Sequence, residues 1–358
     1  MGSSSFSHSL GRLLSISKNY DRQHFERLHK KMPVAPGMLA AQAVGKGKLI
    51  TIETPLPECP EGGVLLKTNF ASICGSDLHF VYSGLNTSWP MTPGAPGHES
   101  TGIVAASNAL GFKEGDRVLC APMFWESRCM AGYQAVKATA ITHISSAKPE
   151  QHQLMAQQLG TVIYAGKRMP SLFGKTVAVL GQGSAGLFWD FVLKRLGAER
   201  VIALDPVAHR AGLGTKFGAD KTLTVKGGEA TKAVMDLTAG QGADVVVEAV
   251  GSIPTLTQAF EMVRDQGLVV LFGLPESPEP VPWNHMAMFR KRASAFIPWG
   301  SQEEPGLASY RQSLEWINSG QIDMAHIATH TLPLSKVQEG FDIAASRKDN
   351  AVKITLAC

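Results

Sequence analysis

The chain has 358 residues, of which 44% are apolar and 18% charged, with a net charge of +4. That length accommodates two domains and a large core, and no apolar run approaches the ~20 residues of a membrane-spanning helix. The positive excess lies in residues 1–37, where Arg12, Lys18, Arg22, Arg27, Lys30 and Lys31 face only Asp21 and Glu26, so the balanced remainder is not expected to bind nucleic acid.

Residues 1–37 read as a basic, serine-bearing appendage, a loosely docked tail or else an organelle-targeting presequence. Pro33, Pro36 and Gly37 mark its boundary. From Met38 onward short strands alternate with turn residues. Leu49–Ile52 and Gly63–Thr68 are predicted strands, and Ile103-Val104 and the segment after Gly115-Asp116 are two more. This pattern predicts an all-β, partly open barrel. Two polar clusters interrupt it, Cys74-Gly75-Ser76-Asp77-Leu78-His79 and Gly97-His98-Glu99. Cys74, His98 and Glu99 offer a thiolate, an imidazole and a carboxylate, and a catalytic zinc site needs three such ligands and an open position. Val118 to Tyr133 contains only Cys120 and Cys129, too few for a closed four-thiolate site. Five scattered cysteines in all do not form a disulfide framework and point to a reducing, cytoplasmic compartment.

A helix is predicted from Gln153 to Lys167, and a βα alternation follows. The apolar run Val177–Leu180 is a predicted buried strand, and Gly181, Gly183 and Gly186 then occur in G-x-G-x-x-G spacing. Phe188, Val192 and Leu196 share a helical face, Gly197 ends that helix, and Val201–Leu204 leads to Asp205. Glycines between strand and helix, with an acid closing the next strand, are the dinucleotide fingerprint. The helix N-terminus, with Ser184 and Ala185 in its first turn, presents N–H groups to phosphates. Asp205 accepts from ribose hydroxyls and repels a 2′-phosphate, which favours NAD over NADP. Further strands are predicted at Lys221–Val225, Ala243–Val250, Gly267–Phe272 and Ala293–Ile297, making a doubly wound parallel sheet. Helices are predicted near Leu314–Asn318 and Val337–Ala345, with a closing strand at Val352–Leu356.

C-G-S-D-L-H at 74–79, G-H-E at 97–99, G-D-R-V at 115–118 and the glycine fingerprint at 181–186 occur in one order. Over about residues 38–358 the chain resembles the medium-chain dehydrogenase/reductases, and its wording is most similar to the sorbitol, threonine and other polyol or amino-alcohol dehydrogenases. The resemblance implies an α/β protein. A GroES-like catalytic domain would span 38–166, completed by 304–358, and a Rossmann domain 167–303. It implies one catalytic zinc on Cys74, His98 and Glu99, with Gln157 a weak or water-mediated fourth contact where relatives carry a carboxylate or thiolate. It implies no structural zinc, the cysteine-rich lobe being deleted and Phe124 and Trp125 packing in its place. Ser76 would touch the substrate oxygen and His79 pass its proton to solvent. Thr161 and the turns Val250-Gly251 and Phe272-Gly273 would flank the nicotinamide of NAD, and Arg210 would join Asp205 in cofactor choice. The implied partner is a small alcohol or ketone, with no membrane or nucleic acid, in a homodimer or homotetramer. A zinc-free enone or quinone reductase and a non-catalytic NAD-responsive protein stay open as alternatives.

Overall fold

A computed structural model of the chain describes residues 37–358. The basic stretch read as a tail or presequence lies outside the described residues, apart from Gly37. The strands in chain order are β1 (Gly37–Gly45), β2 (Lys48–Pro55), β3 (Gly63–Ile73), β4 (Ser100–Ser107), β5 (Arg117–Cys120), β6 (Tyr133–Lys137) and β7 (Ile141–His143). They continue with β8 (Thr176–Leu180), β9 (Arg200–Asp205), β10 (Lys221–Thr224), β11 (Ala243–Glu248), β12 (Val263–Leu271), β13 (Ser294–Phe296), β14 (Ala328–Pro333) and β15 (Lys353–Ala357).

Strands β8 to β13 form one six-stranded sheet in the order β10-β9-β8-β11-β12-β13, every pair parallel. Their near-continuous apolar composition suits a sheet buried on both faces. One face packs Val177, Val179 and Val247 under the helices Ala156–Lys167 and Ser184–Arg195. The other packs Ala178, Ile202 and Val246 under the helices Gly228–Leu237 and Ile253–Met262. Order reversal between β8 and β11 opens a crevice at the carboxyl ends of the strands, where ligands bind in this architecture.

The second sheet runs β14-β15-β3-β4-β5-β7, with β6 also paired to β3, and β1 and β2 form a separate ribbon. Strand β3 extends to Ile73, beyond the predicted Thr68, with a register shift between Thr68 and Phe70. Its carboxyl end therefore delivers Cys74 directly. Strand β15 pairs antiparallel with β3, Ile354 opposite Ile73. The chain's last strand is thus locked beside the Cys74 loop.

Two helices depart from prediction. The predicted Gln153–Lys167 helix is split into Glu150–Leu154 and Ala156–Lys167 at Met155. The helix expected at Leu314 starts at Ala308, since its first turns bury Ser309 and Ser313, which hid the apolar periodicity. This helix crosses Ala156–Lys167 at close range. A Cβ on Gly160 would meet the Tyr310 ring at 2.2 Å, so glycine is what lets the backbones approach. Among the described residues no helix is long and apolar enough to cross a membrane.

Candidate active site

The Cys74 loop is a single helical turn, Gly75–Leu78, capped by its own side chains. Asp77 is wholly buried. Its Oδ2 accepts the Cys74 backbone N–H at 2.8 Å, and its Oδ1 lies 3.2 Å from Nδ1 of His98. Asp77 therefore holds both the Cys74 backbone and the His98 ring. A carboxylate at Nδ1 fixes the imidazole tautomer and leaves Nε2 facing the cavity. Burial by itself would lower the His98 pKa, but Asp77 and Cys74 outweigh it and hold the ring well above its ordinary 6.5.

Glu99 follows, immediately before β4. The sulfur of Cys74, a ring nitrogen of His98 and a carboxylate oxygen of Glu99 lie within 4.8 Å of one another. This is the one such His/Cys/acid cluster among the described residues. One sulfur, one nitrogen and one oxygen converging in a buried pocket, with the imidazole already oriented, fit zinc chemistry. The thiol of Cys74 also faces an amide, Nε2 of Gln158 at 3.6 Å. Gln157, expected from the register, lines the same cavity, but Gln158 is the amide that reaches the sulfur. The Oε1 of Gln158 is buried without a partner.

Lys353, at the start of β15, was not anticipated. It is 2% exposed, and its ammonium lies 2.8 and 3.1 Å from the two carboxylate oxygens of Glu99, itself 1% exposed. Ser72 donates its hydroxyl to the same carboxylate. Burial would raise the Glu99 pKa, yet Lys353 and His98 hold it below its ordinary 4.5, and burial would lower that of Lys353, yet Cys74 and Glu99 keep it above 10.5. The only local signal for Lys353 is a lysine inside an apolar strand pattern, which usually marks a surface position.

A cavity of about 230 Å³ opens over the three potential ligands. Ser76, His79, Thr161, Val250, Phe272 and Gly273 line it. Ser76 Oγ and His79 Nδ1 are buried without a partner. Burial depresses the His79 pKa below 6.5, with Glu276 opposing. Thr161 donates its hydroxyl to the Gln157 carbonyl one turn back. Phe124 packs edge-on against His98, ring centroids 4.5 Å apart. Trp125, expected to fill the lobe deletion, is instead 63% exposed. Cys120 and Cys129 are buried, and both thiols donate to Oε1 of Gln134.

The adjoining cavity, about 410 Å³, is lined by Gly181, Gly183, Ser184, Ala185, Asp205 and Arg210 and extends to Lys353. A Cβ on Gly183 would meet only the Arg210 guanidinium, at 3.8 Å, so the backbone there faces open space as a pyrophosphate cradle requires. Gly186 and Gly251 do not line the cavity. A Cβ on Gly186 would strike the Gly181 carbonyl oxygen at 1.8 Å, and one on Gly251 the Leu274 oxygen at 1.9 Å. Both glycines serve backbone packing beneath the site. Asp205 Oδ2 accepts the Gln182 N–H and Oδ1 the Val207 N–H, each at 2.7 Å. Arg210 donates from Nε and Nη2 to the Ala351 carbonyl. Glu248, also unanticipated, accepts from the Val250 and Gly251 amides and from Thr255, and so holds that turn.

Residues 60–178 match the alcohol dehydrogenase GroES-like domain, and residues 186–319 match the zinc-binding dehydrogenase family. The chain is 29% identical over 343 residues to an erythritol/L-threitol dehydrogenase of Mycolicibacterium smegmatis, covering 85% of this chain and 93% of that one. It is 29% identical over 331 residues to an L-threonine 3-dehydrogenase of Bacillus subtilis, covering 84% and 92%. An alcohol dehydrogenase of Thermotoga maritima superposes with a TM-score of 0.75 at 24% identity, covering 90% of this chain and all of that one, which speaks to the fold.

Proposed function

We propose, for a chain that belongs to the zinc-dependent alcohol and polyol dehydrogenase branch of the medium-chain dehydrogenase/reductases, that it interconverts a secondary alcohol and its ketone with a nicotinamide dinucleotide. The observation that carries this reading is the convergence of Cys74, His98 and Glu99 at one end of a cleft whose other end is the glycine-rich turn. Polyols, cyclitols and amino-alcohols are within reach, since relatives carry erythritol and threonine in their names.

Cys74, His98 and Glu99 would hold the metal, with Gln158 and Gln157 beside it. Bound there, zinc supplies Lewis acidity and the nicotinamide a hydride-accepting carbon. The chain's own work is positioning and proton handling. Ser76, with its hydroxyl free, is placed to accept a hydrogen bond from the substrate hydroxyl. His79 lines both cavities, and its depressed pKa keeps it neutral near pH 7, able to take a proton outward. The apolar walls at Phe124, Leu271 and Phe272 exclude water from the reacting carbon.

Asp205 supports NAD rather than NADP, because its carboxylate would repel a 2′-phosphate. A single zinc is favoured by the inward-facing thiols of Cys120 and Cys129. The domain division at 38–166 with 304–358, and 167–303, follows the two sheets. Strand β13 leaves one edge of the parallel sheet unpaired beside the exposed Met286 and Phe289, which supports a homo-oligomer. A cytoplasmic location accords with the free cysteines. The test is metal analysis of purified protein beside an NAD-coupled screen of secondary alcohols, expecting about one zinc per chain and loss of both metal and turnover in Cys74→Ala. Retained turnover in Cys74→Ala, or well under half a zinc per chain, would overturn the reading.

A further inference from the structure

Beyond the inner cavity lies a second one of about 540 Å³, sharing Phe124, Leu274 and Trp299 with it. The Phe124 and Trp299 rings, which line both cavities, meet edge-on, centroids 6.1 Å apart. The outer lining combines apolar groups, Phe80, Met91 and Trp125 among them, with the polar Asn86, Thr87, Ser88 and Thr92. Among the described residues Arg128 is the one charged residue lining this space. Its guanidinium is half-buried, donates from Nη1 to the adjacent Ser127 carbonyl, and has no carboxylate partner among the described residues. The nearest acid along the chain, Glu126, is paired with Lys137 instead. Burial alone moves the Arg128 pKa below 12.5, with no neighbouring acid to oppose it.

A desolvated cation without a counter-charge is unfavourable, and a guanidinium fork is matched by a planar carboxylate. Where the two cavities meet, the Phe124 and Trp299 rings suit an aryl or alkyl body. We propose that the outer cavity is a substrate subsite in which Arg128 pairs with a carboxylate carried on an apolar spacer, the carbinol or carbonyl end lying past the Phe124–Trp299 pair in the inner cavity. The inference rests on the dehydrogenase reading and narrows its substrate to a hydroxy or oxo acid with an apolar body between its two polar ends.

The experiment is isothermal titration of the NAD+-loaded protein, in which a ketone probe cannot be reduced, with 4-acetylbenzoate and with its neutral counterpart 4-methylacetophenone, in wild type and in Arg128→Gln. The carboxylate probe is expected to bind at least ~10-fold tighter in wild type, with that ratio collapsing towards one in Arg128→Gln. Arg128→Lys, which keeps the charge but loses the fork, is expected to fall between. Equal affinities in wild type, or a ratio preserved in Arg128→Gln, would overturn the proposal, and the wild-type ratio is decisive even if the variant does not fold. A carboxylate preference that depends on Arg128, found with no zinc and no turnover, would support the subsite while removing the reaction. Zinc and turnover with equal affinities would do the reverse.

Discussion

Replacing Lys353 by methionine keeps the length of the side chain and removes the ammonium that faces Glu99. Both groups are almost fully buried, with contacts of 2.8 and 3.1 Å. Removing one partner of a buried pair typically destabilises by ~3–5 kcal/mol, because the other charge is left uncompensated. Glu99 can avoid the full loss by taking up a proton. Against an ordinary carboxyl value of 4.5, doing so at pH 7 costs about 3 kcal/mol, and at pH 5 less than about 1 kcal/mol. The expected loss in metal-free protein is therefore about 3 kcal/mol at pH 7, shrinking to about 1 kcal/mol at pH 5. In wild type, Glu99 has a depressed pKa, so its contribution is present above 4.5 and lost as pH falls through the folded value. Lys353 has a raised pKa, so its contribution is complete below 10.5 and lost as pH rises through the folded value. The pair thus acts across the window between them. Urea unfolding of chelator-treated protein at the two pH values measures this, and Lys353→Met/Glu99→Gln should recover much of the deficit. A deficit below about 1 kcal/mol at pH 7, or one that does not change with pH, would refute the reasoning.

Three further outcomes are expected. Asp205→Ala should weaken NAD and raise the NADP-to-NAD ratio of kcat/KM by about tenfold or more, since the carboxylate also holds the Gln182 and Val207 amides; an unchanged ratio would move cofactor choice to Arg210. Gln158→Leu should weaken zinc binding by roughly tenfold, as loss of an outer partner of a ligand does, and by more than Gln157→Leu; competition with a chromophoric chelator measures both, and the opposite order would restore Gln157. Asp190 is fully buried with neither oxygen hydrogen-bonded, and burial pushes its pKa well above 3.8 despite the Gln182 amide. The folded state therefore holds a proton that the unfolded chain releases, and stability is lost as pH rises from 3.8 through the folded value. Asp190→Asn should flatten the decline in melting temperature as pH rises above 3.8, and a parallel decline in the variant would show that Asp190 is not responsible.

Much of the architecture was legible locally. Continuous apolar runs separated by glycine turns specify buried parallel strands, because such strands are covered on both faces. The fingerprint glycines and Asp205 were legible for a steric reason: Gly186 has no room for a Cβ against Gly181, and Gly183 faces open cavity. Cys74, His98 and Glu99 could be paired from chemistry and resemblance alone. Less legible were groups whose roles depend on a distant partner. Ser309 and Ser313 look like surface residues until the Ala308–Asn318 helix is seen buried on the neighbouring helix.

Chain order and residue type together specified two sheets, a nucleotide cleft and three potential ligands, because each depends on spacing of a few residues and on local backbone sterics. Tertiary packing alone decided which amide meets the Cys74 sulfur and why a lysine can sit inside a buried strand, and it left Arg128 without a carboxylate partner among the described residues. Lys353 and Glu99 are 254 residues apart along the chain, and only the antiparallel pairing of β15 with β3 brings their charges together. Such energies depend on distance in space and on exclusion of water, neither of which is encoded in any short window of sequence.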